Sequence, residues 1–101
     1  MKENIFDQYV SIVCKRWNIS KFELFSKTKK KEFVTARHML YYLCYIRSIS
    51  LADIERYMRR NGYEIKHNSI SHGITSMTEK ISSDHDYASI VKKISNSVFI
   101  N

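Results

Sequence analysis

The chain has no proline and only two glycines in 101 residues. Nothing therefore interrupts long helices, and few positions supply left-handed backbone for tight turns. Cysteine is equally scarce. Cys14 and Cys44 lack a CxxC spacing, which speaks against a zinc site or a disulfide framework. Both are flanked by apolar residues and read as small core side chains, reduced in a cytosolic-type compartment. No run approaches the roughly 20 apolar residues of a membrane span, and MKENIFDQYV lacks the apolar centre of a signal peptide. There is no GxxxxGK[ST], GxGxxG or GxSxG motif. The acidic residues fall mostly where helix termini are expected, so capping accounts for them. No nucleotide, no cofactor and no catalytic centre is expected: the chain reads as a non-enzyme that stays off membranes.

What is abundant is positive charge. Seventeen Lys and Arg against ten Asp and Glu give a formal net charge of +7, a balance that favours a polyanionic partner, either nucleic acid or an acidic surface. At 101 residues the chain is long enough for one domain with a modest core and too short for two.

Apolar residues recur at helical spacing throughout. Ile5, Tyr9, Val13 and Trp17 predict a first helix over 4–17. Ser20-Lys-Phe-Glu23 has the form of a capping box and opens a short helix offering Phe22, Leu24 and Phe25 to the core. SKTKKKEF follows, crowding Lys27, Lys29, Lys30 and Lys31 into one segment between core-forming helices. Thr35 is placed to cap a third helix, apolar on nearly every side and so expected at the centre. Ser50-Leu-Ala-Asp53 is a second capping box, opening a helix that Asn61-Gly62 ends. A fifth helix is expected from Asn68 or Ser69 to about Ile81 with Ile70, Ile74, Met77 and Ile81 inward. A sixth, capped within Ser83-Asp-His-Asp86, carries Tyr87, Ile90, Val91 and Ile94. Only Tyr63-Glu-Ile65 hints at a strand. The expected fold is all-α, a compact bundle of five to six helices containing a helix-turn-helix.

The segment KHNSISHGITSM, 66–77, leaves Asn68, Ser69, Ser71, His72, Thr75 and Ser76 on the outward face of the fifth helix. Plain solvent faces are rich in Lys and Glu. Short, uncharged hydrogen-bonding side chains at a helix N-terminus suit close approach to base edges and phosphates. His67 and His72 are five residues apart, about 140° around a helix, too far for a helical metal pair, and no carboxylate lies beside them in sequence. Gly73 costs about 1 kcal/mol in mid-helix relative to Ala, which close packing against a neighbour would explain.

The order of these features resembles the C-terminal duplex-DNA-binding domain of the bacterial replication initiator DnaA, of the Trp-repressor-like helix-turn-helix superfamily. The resemblance runs from about Ile5 to Val98. Ile19 to Leu24 is similar to the family's short I-x-x-x-x-L/F helix, SKTKKKEFVTARHM to its basic loop and central helix, and ISLADIERYM to its S-L-x-x-I-G-x-x-F stretch. KHNSISHGITSMTEKI is similar to D-H-T-T-V-x-x-A-x-x-K-I, which opens the recognition helix.

The resemblance implies base reading by His67, Asn68 and Ser69, a minor-groove side chain at Lys29 and a phosphate contact at Arg37. Lys66 stands where the family has Asp, and Asn-Ser replaces Thr-Thr, so a different target sequence is expected. MRRNGYEIK replaces a shorter connection and adds Arg59, Arg60 and Lys66. The expected interface is therefore His67, Asn68, Ser69 and His72 in the major groove, and Lys27, Lys29, Lys30 and Lys31 on the backbone or minor groove. Arg37, Arg56, Arg59, Arg60 and Lys66 are expected to clamp phosphates. The chain lacks the family's ATPase module, so origin melting is not expected of it. The implied role is double-stranded DNA binding in replication initiation or its control, in the cytoplasm of a bacterial or phage-infected cell, with a possible protein partner in the replication machinery. A phage or mobile element is the expected source. The rival is a protein-interaction or virion-associated protein that kept the fold and lost DNA readout, favoured if Tyr41, Tyr45 and Tyr63 are exposed.

Overall fold

Ile5, Phe6, Tyr9, Val10 and Val13 line one face of the first helix, α1 (Lys2–Trp17), and all are buried. They meet α3 (Lys31–Ile46), which buries nine of its residues and packs on α1, the short α2 (Lys21–Leu24), α4 (Leu51–Arg60) and α5 (His67–Ser83). The last helix, α6 (His85–Ser97), packs on α5. The computed structural model describes residues 2–98, and among them there is no strand. α3 is the central helix, as its all-round apolar pattern requires. One core cluster joins it to Leu24, Ile54, Met58, Ile70, Met77 and Ile94, and Cys14 and Cys44 lie in that core as free thiols. Burial raises the pKa of both. Among the described residues no helix is long and apolar enough to cross a membrane.

Three helix ends share one device. Asn18, Ser48 and Gly62 adopt positive φ of 54°, 62° and 85°. The following amides turn back onto the helix: Ile19 N–H donates to Cys14 C=O, Ile49 to Cys44 and Tyr63 to Met58, each at 3.0 Å. This satisfies carbonyls that a helix end leaves open and folds the next apolar residue onto the last turn. Ile49 is buried and Ile19 and Tyr63 pack against the core. Only Gly62 makes such an end plain in sequence; at Ser48 the penalty of a Cβ at positive φ is accepted where Ile49 gains burial.

The capping box at Ser20 and Glu23 is complete, with both reciprocal bonds formed. At the second, Ser50 Oγ accepts from Asp53 N–H at 3.1 Å, while the Asp53 carboxylate pairs with Arg56 and Lys2. Three expectations are corrected. Phe22 is 85% exposed, because a four-residue helix presents only one side to the core and Leu24 takes it. Thr35 is buried within α3, whose N-cap is Lys30. α5 begins at His67, so Asn68 and Ser69 lie within its first turn and Lys66 is the N-cap, with no side-chain capping bond. α6 is capped within the expected Ser83–Asp86 stretch, by Asp84, whose carboxylate accepts from Asp86 N–H at 2.9 Å, while Ser83 ends α5. Residues 63–65 form no strand.

Candidate nucleic-acid interface

α4 and α5 are joined by residues 61–66 and pack on each other, forming the helix-turn-helix. Ile70, Ile74 and Met77 anchor α5 in the core, leaving Asn68, Ser69, Ser71, His72 and Thr75 exposed. Gly73 is what allows α5 to lie so close to α3. A Cβ there would stand 2.8 Å from His38 Cδ2 and 2.9 Å from Tyr41 Cδ2.

The first turn of α5 lines a groove of about 790 Å³. The groove is also lined by the basic segment 27–29, by Val34, Arg37, His38 and Tyr41 of α3, and by Tyr63 to Lys66. The groove brings Lys27, Lys29, Arg37, Lys66, Asn68, Ser69 and His72 together. Lys29 and Lys66 are exposed on its rim. The uncapped N-terminus of α5 opens here, where a helix end favours anions.

Several expected contacts have other employment. Arg37 is only 4% exposed. Its guanidinium donates to the carbonyls of Leu24 at 2.9 Å, Ser26 at 3.0 Å and Thr28 at 2.7 Å. The expectation of a phosphate clamp at Arg37 is therefore corrected: the side chain holds the basic segment against α3, because a buried guanidinium must spend its donors on nearby acceptors. Lys27 donates to the Glu64 carbonyl and lies 4.3 Å from the centre of the Tyr63 ring.

Arg56 pairs with Asp53 at 2.6 Å, Arg59 with Glu55 at 2.7 Å and Arg60 with Glu3. All three guanidinium groups remain about half exposed. His67 Nε2 lies 3.2 Å from Glu55 Oε1, which ties the first residue of α5 back to α4. Lys30 and Lys31 stay exposed at the start of α3, with Lys30 Nζ 5.3 Å from the Phe33 ring.

No sequence motif singles out His38, yet its ring meets His72 edge-on at 6.1 Å between centroids. The signal was Gly73, which asks for a close neighbour without naming it. Burial, with His72, Lys80 and Arg37 nearby, lowers the His38 pKa to about 4. Tyr41 is 2% exposed and lines the groove, and Tyr63 is half-buried, so of the three tyrosines only Tyr45 stands out in solvent. The rival reading thus keeps one of its three tyrosines, Tyr45, and Phe22 is a further exposed aromatic. Among the described residues no three His, Cys, Asp or Glu side chains gather as a metal site.

The family model described as bacterial dnaA protein helix-turn-helix matches residues 6–76. The chain belongs to the bacterial DnaA helix-turn-helix family. The groove lies wholly inside the match, and α6 lies beyond it. The chromosomal replication initiator protein DnaA of Campylobacter jejuni subspecies doylei is 33% identical over 101 residues, covering 98% of this chain and 22% of that protein. The protein of the same name from Leptospira biflexa is 24% identical over 93 residues, covering 91% of this chain and 20% of that protein. The chain thus spans about a fifth of the length of these DnaA relatives. No solved structure matches significantly.

Proposed function

We propose that this chain binds double-stranded DNA. α5 enters the major groove by its N-terminal turn, with Asn68, Ser69, His67 and His72 toward base edges. Lys29, Lys30 and Lys31 reach the backbone or the adjacent minor groove, where negative potential draws cations. Lys66 lies beside the uncapped helix end and contacts a phosphate there. The observation that carries this reading is the shared groove: the polar start of α5 lines one depression together with Lys29 and Lys66, which have no carboxylate partner among the described residues. The side chains that α5 itself exposes to this groove, Asn68, Ser69 and His72, are polar, whereas protein-binding surfaces favour aromatic and aliphatic anchors at their centre. Arg56, Arg59 and Arg60 stand outside this central set. They serve as rim contacts by exchanging a surface carboxylate for a phosphate, a trade that costs little because exposed ion pairs contribute about 0–1 kcal/mol.

The relatives carry the name chromosomal replication initiator protein, and family membership supports a role for this chain in replication initiation or its control. An electrophoretic mobility shift on random duplex DNA tests the binding, and selection from a random pool tests specificity. Retarded bands at low salt and an enriched sequence are expected; no shift at low salt overturns the reading.

A further inference from the structure

The basic segment and the α4–α5 connection belong to different parts of the chain, yet one side chain sits between them. The Tyr63 ring has Lys27 Nζ 4.3 Å from its centre and the Arg37 guanidinium carbon at 5.0 Å. Lys27 comes from the basic segment and also donates to the carbonyl of Glu64, the residue after Tyr63. Arg37 comes from α3 and grips the same segment through three of its carbonyls. Tyr63 is itself held in place, since its N–H donates to Met58 C=O and its side chain packs on the core.

We propose that Tyr63 is a positioning residue, a clasp that pins the start of the recognition helix to the basic segment and fixes the width of the groove between them. The proposal rests on the DNA-binding reading above and adds what makes the two contact sets act as one. Lys29 and Lys66 stand on the rim of the groove. Lys66 is three residues beyond Tyr63 and serves as N-cap of α5, so the clasp bears directly on where α5 starts.

An aromatic face attracts a cation most strongly where the pair is partly shielded from water, as this half-buried ring is. Lys27 and Arg37 are also held by backbone carbonyls, and the ring is the one group that both cations share. The hydroxyl takes no part, so Tyr63→Phe keeps the clasp and Tyr63→Leu removes it while retaining apolar bulk.

The test has two arms. In the first, spin labels are placed on Lys29→Cys and Lys66→Cys, astride the groove, and their separation is measured by pulsed electron spin resonance without DNA. The native Cys14 and Cys44 are buried and resist labelling. A single narrow distance distribution is expected for the otherwise native chain and for Tyr63→Phe, and a broadened one for Tyr63→Leu. Lys27→Met, at an exposed residue outside the core, should broaden it as well and keeps the test valid if Tyr63→Leu unfolds.

In the second arm, without the labels, Tyr63→Leu should bind a selected duplex about tenfold more weakly while remaining folded, with Tyr63→Phe within about twofold of the native chain. Distances that stay narrow in both Tyr63→Leu and Lys27→Met overturn the clasp. Broadened distances with undiminished affinity overturn its positioning role. A native chain that binds no duplex overturns the DNA-binding reading itself, and the first arm then still decides whether the clasp exists.

Discussion

The ring of His72 on the recognition helix meets the ring of His38 on the central helix edge-on, 6.1 Å between centroids. His38 faces Arg37 on its own helix and His72 and Lys80 on α5, and burial together with these groups brings its pKa from 6.5 to about 4. At neutral pH it is an uncharged spacer packed against His72.

This predicts a pH dependence with a definite sign. Because the folded-state pKa lies below the unfolded one, the unfolded chain binds more protons between pH 6.5 and 4, and stability is lost as pH falls through that window. The slope from this one group should stay below about 1.4 kcal/mol per pH unit, since a single imidazole takes up at most one proton. Urea denaturation at several pH values checks it: His38→Gln should flatten the dependence, and an equally steep loss in the variant would contradict the assignment.

Gly73→Ala sets two effects against each other. Helix propensity gains about 1 kcal/mol, but the new Cβ meets two rings at 2.8 and 2.9 Å, and overpacking costs about 1–3 kcal/mol. Packing should win, with a net loss near 1 kcal/mol in chemical denaturation. A more stable variant would show that α3 and α5 can separate freely.

Arg37→Met distinguishes a structural arginine from a phosphate contact. Removing the guanidinium leaves the carbonyls of Leu24, Ser26 and Thr28 without their partner, at about 1–3 kcal/mol for each acceptor left buried. A loss of roughly 3 kcal/mol in unfolding free energy is expected. Unchanged stability with weakened DNA binding would return Arg37 to the phosphate backbone.

Changing Lys29, Lys30 and Lys31 together to Ala should weaken binding to every duplex alike and barely alter thermal unfolding. Among the described residues these three and Lys66 have no carboxylate partner. If all four neutralise phosphates, log K should fall with log[salt] at a slope of about −4, and the triple variant should flatten it by about 3. A salt-independent affinity, or a large drop in melting temperature, would contradict this use of the segment.

The fold was legible where its causes are local. Ser20 and Ser50 each bond an amide three residues on, and Ile70, Ile74 and Met77 repeat with the helical period, so caps and the buried ridge can be read along the chain. The groove was half legible, because a run of lysines and a polar helix face announce themselves. What could not be read depends on approach between distant segments. Thr35 has the residue type of a cap, yet α3 starts four residues earlier. Phe22 has the residue type of a core, yet the short helix turns it outward. Arg37 matches a phosphate contact by position, and only the path of residues 24–28 around it shows that its donors are used within the protein. The meetings of His38 with His72, and of Tyr63 with Lys27, span 34 and 36 residues, and no sequence period reports them.

The central claim is that the first turn of α5 reads bases, and one comparison tests it most directly. Asn68 and Ser69 are exposed, lie off the Ile70–Ile74–Met77 ridge, and provide no N-cap side chain, so replacing both with Ala should leave the core intact. The quantity to measure is the ratio of affinities for a selected duplex and a scrambled one, in the native chain and in the double variant. Each lost base contact should remove about 1–3 kcal/mol of discrimination, while non-specific binding through the lysines persists. The account predicts that the ratio collapses toward one. A double variant that still prefers its selected site as strongly as the native chain would contradict it.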